Sequence, residues 1–225
     1  MSSYPPKETY TAEDLVAIIA QLRDPVQGCP WDKVQTHQSI RMNFLEEAYE
    51  AVDAIDLQDP HLLCEELGDV MMQVAFHAQI EQEAGRFTWQ DVCDGVCRKL
   101  IARHPHIFGG EQGIKDWDAL KNKEKGRLTL QDDLDSVPNA LPALMRAAKL
   151  QKRAARYEQH CKADASAVAQ AARKVQTAAG PEEAEQAVGA LLFAAVALAR
   201  QAGVDPEQAL QRQNRAFQQG AGTTL

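Results

Sequence analysis

Apolar residues recur along the chain at intervals of three and four, the period of helices buried on one side. Leu15, Ile18, Ile19 and Leu22 follow Thr11-Ala-Glu-Asp14, a capping box that starts a helix, and Asp24-Pro25 ends it. The spacing predicts a second helix over about 39–57. A third starts at Asp59-Pro60, an N-cap followed by proline at the first helical position, and runs to about 84, where Gly85 stops it. Thr88 caps a fourth, to about Arg103. Gln27–Thr36 reads as an ordered loop, His104–Gly113 as another, and Trp117–Lys125 as a short helix. Residues 128–138, polar, acidic and closed by Pro138, read as a linker between a unit of 1–127 and a second helical unit of 139–225. Helices are predicted there near 139–158, 163–178, 182–202 and 206–219. No segment sustains period-two alternation, so the expected fold is an all-α helical bundle with no significant sheet.

Part of the pattern occurs twice. Glu66–Gln79 (ELGDVMMQVAFHAQ) is matched by Ala187–Arg200 (AVGALLFAAVALAR), with Gly68 opposite Gly189. Downstream, Glu83-Ala-Gly85 is paralleled by Gln201-Ala-Gly203, and after a one-residue gap Lys99 falls opposite Ala216. A tandem helical repeat is expected, its second copy degenerate at the polar positions.

Composition narrows the class. Of 225 residues, 45% are hydrophobic and 25% charged, as in ordinary globular proteins, and only 6% are aromatic, which suits a helical fold. The net charge of −8 disfavours a nucleic-acid polymer as ligand. A small phosphate ligand stays compatible if a divalent cation screens the acids. No apolar run approaches the roughly 20 residues of a membrane helix, and the N-terminus carries no signal-peptide pattern. Five cysteines (Cys29, Cys64, Cys93, Cys97, Cys161) make an odd set, so a reducing cytoplasm is expected rather than a disulfide framework.

The acids carry the chemistry. On the 39–57 helix, Phe44, Leu45, Ala48, Val52 and Ile55 form the stripe expected to be buried. Glu46, Glu50 and Asp53 lie opposite, with Glu47 on the shoulder. Alone, that is a solvated acidic face. The next helix is apolar nearly all round from Leu67 to Ile80, yet Glu66, Asp69 and Gln73 share a face with Leu62, Phe76 and Ile80. A carboxylate against a core costs several kcal/mol unless it is paired or binds a metal. This helix carries no lysine or arginine for a structural salt bridge, the competing explanation. In the repeat the counterparts of Glu66 and Asp69 are Ala187 and Ala190, so the frame does not need the acids. Two helices bearing E-E-x-x-E and E-x-x-D can converge four or five carboxylates, a hard oxygen set suited to Mg²⁺ or Mn²⁺ and to attack of water on a phosphoryl group. A di-iron carboxylate bundle needs Glu-x-x-His pairs, which the chain lacks. A non-catalytic nucleotide-binding or regulatory module on the same frame is the remaining alternative.

Glu46-Glu-Ala-Tyr-Glu50 followed by Glu66-Leu-Gly-Asp69 resembles the paired-helix motif of MazG-type nucleoside triphosphate pyrophosphohydrolases. So do Gly28-Cys-Pro-Trp-Asp32, Arg103-His-Pro-His-Ile-Phe108, and Trp117 with Lys121. The resemblance covers about residues 12–125 strongly and the tail more weakly. It implies an all-α homodimer that cleaves nucleoside triphosphates to monophosphate and pyrophosphate. By motif position, Glu47, Glu50, Glu66 and Asp69 would hold Mg²⁺, Glu46 would orient or deprotonate the attacking water, and Asp53 would be a further ligand or an outer partner. Larger relatives carry a second acidic unit. Here Ala187, Ala190 and the tail Asn214–Gln219 depart from it, which implies packing or dimerisation instead of catalysis.

A triphosphate also needs cations. Lys99 and Arg103, four apart, are the favoured phosphate contacts, and Lys121 and Lys125 repeat the spacing. A solvated basic face is the alternative. Trp31 either stacks on a base or fills the core beneath its loop, the core being favoured. His104 and His106 read as structural or phosphate-adjacent, and Cys93 and Cys97 as small buried side chains.

Overall fold

The computed structural model describes residues 6–109, 126, 129–159 and 164–221. The structure is all-α, with no strand among the described residues. The chain divides into two units, Met1–Ile114 and Lys115–Leu225. The helix expected over Trp117–Lys125 lies outside the described residues, and with it Lys121 and Lys125.

The first unit comprises α1 (Ala12–Leu22), α2 (Arg41–Leu57), α3 (Pro60–Glu83), α4 (Trp89–Arg103) and a short α5 (Pro105–Phe108). The expected capping box forms, Thr11 with Asp14, and Thr88, the expected cap of α4, makes another with Asp91. Helix α2 starts two residues later than the spacing predicts. The Ser39 hydroxyl accepts the Thr36 N–H and Thr36 Oγ1 accepts the Ser39 N–H, so both serve a turn ahead of the helix. Between α2 and α3 only two residues intervene. Gln58 takes the left-handed conformation (φ 57°), and the Asp59 carboxylate accepts the N–H groups of His61 and Leu62. This turn folds α2 back along α3, and α1 and α4 also pack on α3. Ile19, Ile40, Ala75 and Phe76 form the core, with Leu15, Val16, Met72, Ile80 and Trp89 against it.

The loop between α1 and α2 is anchored from beneath. Arg23 is buried, donates through Nε and Nη2 to both Glu83 oxygens (2.9 and 2.7 Å), and gives Nη1 to the carbonyls of Asp32 (2.7 Å) and Gln35 (3.1 Å). Gly28 is required by close approach: a Cβ there would lie 2.4 Å from the carbonyl oxygens of Leu22 and Asp24. Trp31 is 57% exposed, which corrects the expectation that it fills the core. With Arg23 and Phe76 (5.1 Å from guanidinium carbon to ring centre) occupying the space beneath the loop, the indole is turned outward.

The second unit contains α6 (Leu130–Asp135), α7 (Ala143–Ala155), α8 (Ala165–Thr177), α9 (Pro181–Gln201) and α10 (Pro206–Ala221). Helix α6 falls in the stretch read as linker. Its start is a capping box, Thr129 with Asp132, a signal present in the sequence. Asp133 within it is fully buried and faces Arg153 (3.3 Å) and Arg156 (3.6 Å) of the α7 end. Helix α8 packs along α9, and α7 and α10 also touch α9, the same order of contacts as α2, α1 and α4 around α3.

Helices α3 and α9 also end alike. Gly85 (φ 68°) and Gly203 (φ 71°) take left-handed backbone, and the following N–H reaches back to the Glu81 carbonyl (3.0 Å) or the Ala199 carbonyl (2.9 Å). Aligned on these ends, Glu66 and Asp69 fall opposite Ala184 and Ala187. Aligned on the longer sequence match, they fall opposite Ala187 and Ala190. Both registers replace the acids by alanine.

Candidate metal centre

The two-residue turn sets the register of the acidic motifs. Glu50 lies eight residues before Gln58 and Glu66 seven after Asp59, so each stands about 10–12 Å from the turn. Glu47 and Asp69 stand one helical turn further on. The motifs therefore meet level across the α2–α3 seam. Glu47, Glu66 and Asp69, all half-buried, each place one carboxylate oxygen within 4.8 Å of the others. Among the described residues, no cation pairs with any of the three.

The electrostatics follow from this convergence. Burial pushes the Glu47 carboxyl above its ordinary range, and Asp69 and Glu50 push it further. The amide of Gln73, one turn beyond Asp69 on α3, offsets part of that rise. Burial raises Glu66 in the same way, followed by the charges of Glu50 and Asp69. Four acids, Glu47, Glu50, Glu66 and Asp69, thus act on one another, all but Glu50 half-buried, with no counter-charge among the described residues. A hard divalent cation fits this donor set.

The other sequence-selected residues are placed differently. Glu46 and Asp53 are exposed and outside the three-oxygen group. Glu50 is exposed as well, at the rim. The predicted buried stripe of α2 is corrected. Ala51 and Ala54 are buried and Glu47 is half-buried beside them, while Val52 and Ile55 are 51% and 56% exposed. Helix α3 is likewise not buried all round, because Leu67 and Met71 face outward. Periodicity locates an apolar stripe but does not say whether it faces this chain's core. Lys99 is exposed and Arg103 buried, so their shared spacing does not give them a common environment. His104 Nδ1 donates to the Leu100 carbonyl (2.7 Å), a local helix-end contact. Cys93 is half-buried, whereas Cys97 is exposed, correcting the buried reading for that residue.

Sequence reasoning missed a second polar cluster near the far end of α3. Arg86 donates twice to Glu81 (2.5 and 2.6 Å), His37 Nε2 meets the same carboxylate (2.5 Å), and His37 Nδ1 lies 2.7 Å from His77 Nδ1. These bonds, led by Arg86 and then His37, hold the buried Glu81 carboxyl down to about 2. Burial and the neighbouring His37 lower the His77 imidazole. Both shifts act in one direction. The unfolded chain takes up these protons before the folded one does, so acid destabilises the fold. Stability is expected to fall first as pH drops below about 6.5, where His77 of the unfolded chain protonates, and again between about 4.5 and 2 through Glu81. Urea unfolding across pH 3–8 checks this. In Glu81→Gln the lower step should shrink to what Glu83, held low by Arg23, and the other lowered carboxyls leave, and an unchanged step would place the acid sensitivity elsewhere.

Paired acidic helices across a tight turn, with a hard-oxygen centre between them, define a class also found by comparison. Residues 35–108 match the MazG nucleotide pyrophosphohydrolase domain. The nucleoside triphosphate pyrophosphohydrolase/pyrophosphatase MazG of Thermotoga maritima is 40% identical over 210 residues, covering 91% of this chain and 82% of that one. The nucleoside triphosphate pyrophosphohydrolase of Escherichia coli is 39% identical over 218 residues, with coverage of 91% and 83%. That of Mycobacterium tuberculosis is 40% identical over 148 residues, covering 63% of this chain and 44% of its own. The chain belongs to the MazG family of nucleoside triphosphate pyrophosphohydrolases and is an enzyme of the hydrolase class.

Proposed function

We propose that this chain hydrolyses nucleoside triphosphates, ribo- or deoxyribo-, to monophosphate and pyrophosphate with Mg²⁺ or Mn²⁺ held by Glu47, Glu66 and Asp69 and completed by Glu50. The observation that carries this reading is the convergence of three carboxylate oxygens within 4.8 Å without a protein counter-charge among the described residues. A cation bound there supplies charge neutralisation for the phosphates and lowers the cost of ionising water. Glu46, exposed beside this rim, takes the proton of the attacking water as its oxygen bonds to phosphorus. The bond between the α- and β-phosphoryl groups breaks, and pyrophosphate departs.

Lys99 and Arg103 follow on α4, which packs on α3, and are the proposed phosphate contacts, with Lys121 and Lys125 beyond them. Trp31, with its indole exposed, and Asp53 are the proposed nucleotide contacts. The second unit is a silent copy of the first. It has the same helix order and helix end, and its α8–α9 groove of about 370 Å³ is lined by Ala167, Ala171, Ala190, Ala194 and Ala197, with Gln170, Lys174 and Phe193. Control of the nucleotide pool in the cytoplasm is the matching task. No single helix among the described residues is long and apolar enough to cross a membrane.

A homodimer accounts for the apolar face that α2 and α3 leave outside, made of Tyr49, Val52, Ile55, Leu67 and Met71. Light scattering should give twice the chain mass. Val52→Glu should shift it to the single-chain mass, and an unchanged dimer would remove this face from the interface.

The activity test is a panel of ribo- and deoxyribonucleoside triphosphates with Mg²⁺, in which pyrophosphate and orthophosphate are measured separately. Pyrophosphate without orthophosphate is expected. Orthophosphate as the product would overturn the cleavage position, and no turnover with tight nucleotide binding would leave a regulatory module.

A further inference from the structure

His37 lies in the turn that leads into α2, just ahead of the buried core residue Ile40. Its imidazole is held at both nitrogens by α3, Nε2 by the Glu81 carboxylate (2.5 Å) and Nδ1 by His77 Nδ1 (2.7 Å). Arg86, just beyond α3, donates twice to Glu81, so that carboxylate is an ionised acceptor and His37 Nε2 donates to it. The two imidazole planes differ by 13° and their centres lie 5.0 Å apart, the N–N distance plus about one ring width. The rings therefore lie edge to edge with the Nδ1 atoms in line, the geometry of a short N–H···N bond.

Such a bond holds one proton. In the neutral pair, His77 Nδ1–H donates to His37 Nδ1. In the singly charged pair one proton still lies between the rings, because the added one is carried at His77 Nε2. With both histidines charged, two N–H groups face each other across 2.7 Å with no acceptor between them. Among the described residues, the charged groups that bond the pair are Glu81 of α3 and Arg86 of the turn after it. Helix α2 presents the edge of the Phe44 ring to His77 (5.7 Å between centres), and α1 and α4 give the pair no charged partner. Glu81 is shared with Arg86, so no second acid balances a second charge. Burial, and then His37, lower the His77 imidazole, in keeping with this crowding.

We propose that His37 and His77 form a proton-sensitive latch on the entry to α2: one proton between the rings fastens the turn of residues 36–40 to α3, and a second charge on the pair releases it. Release loosens that turn and the first turn of α2, the helix that carries Glu47 and Glu50. The latch belongs to the fold and stands whether or not a cation binds at those acids. The closed pair excludes the second charge, while the opened one accepts it in the ordinary imidazole range near 6.5, so opening takes up a proton.

Hydrogen–deuterium exchange of the full chain, corrected for the intrinsic rate at each pH, tests this. Between pH 7.5 and 5.5, peptides covering residues 36–44 should exchange about tenfold faster, while those of α4 stay level. In His77→Gln the contact survives either protonation state of His37, since an amide can turn its N–H or its oxygen toward Nδ1. Exchange over 36–44 should then stay level across the same range. His37→Ala should exchange fast at both ends of it. Ring-nitrogen resonances of isotope-labelled histidine should show both rings charged only where exchange has risen. An unchanged rate in wild type down to pH 5.5 would overturn the proposal, as would the same acceleration in His77→Gln or wild-type protection in His37→Ala. Acceleration that spreads to α4 would mean general unfolding and overturn it as well.

Discussion

Asp69→Asn should reduce pyrophosphate release by at least about 100-fold while leaving the helices intact, a loss of roughly 3 kcal/mol in transition-state stabilisation. The substitution keeps shape and removes one charge from the three-oxygen group. Its second consequence has the opposite sign. Without a metal, Asp69 is a like-charged neighbour that helps push Glu47 and Glu66 above their ordinary range. An acid with a raised folded-state pKa binds its proton more tightly when folded, so it destabilises the native state at neutral pH and is relieved by mild acid. Removing the Asp69 charge lessens that repulsion. The metal-free variant should therefore melt at or above wild type, while the rise in melting temperature that Mg²⁺ gives wild type should disappear. Calorimetry with and without Mg²⁺, beside the pyrophosphate assay, separates the two effects. A near-wild-type rate would sink the assignment of Asp69 as a ligand. Glu50→Gln should behave likewise in the activity assay, because Glu50 is coupled to Glu47 and Glu66 from the rim.

The second large effect lies away from the acids. Arg23→Ala should destabilise the first unit by about 3 kcal/mol, read from urea unfolding at pH 7. The buried guanidinium is bound at all three nitrogens, to both oxygens of Glu83 and to two loop carbonyls, and its face lies over Phe76. Truncation leaves Glu83 and the carbonyls of Asp32 and Gln35 without these donors. It also frees the Gly28–Asp32 loop, which brings Trp31 to the surface. Arg23→Lys should recover little, since a single ammonium group cannot span a carboxylate and two carbonyls. A loss below about 1 kcal/mol would mean that the loop is held by other contacts.

Element boundaries were legible where local chemistry sets them. Thr11, Asp59, Thr88 and Gly85 cap or stop their helices as the residue types require, because those bonds form within a few residues of the cap. Helix α6 is equally readable from Thr129 and Asp132, but an acidic, proline-closed stretch has the composition of a linker as well. Burial was less legible. Glu47 stood on the shoulder of α2 by periodicity, yet it faces α3, while Val52 and Ile55 face away. A stripe of apolar residues has a direction only relative to its neighbours, and a surface left for a partner carries the same stripe as a core. The same limit applies to Trp31, whose place beneath the loop is taken by Arg23 from another element.

By itself, the sequence determined the all-α class and the capped helix ends, and the resemblance of its motifs to the MazG family singled out Glu47, Glu50, Glu66 and Asp69. These depend on residue type and on spacing within one or two turns. The tertiary structure decided which acids converge. Three oxygens meet because a left-handed Gln58 and the Asp59 cap hold α2 and α3 in one register, with Glu50 at the rim and Glu46 outside. It also decided that His37, His77, Glu81 and Arg86 form one cluster. His37 thereby meets residues 40 and 44 positions further along the chain. A helical period fixes the side on which a residue lies, but only packing fixes what stands opposite.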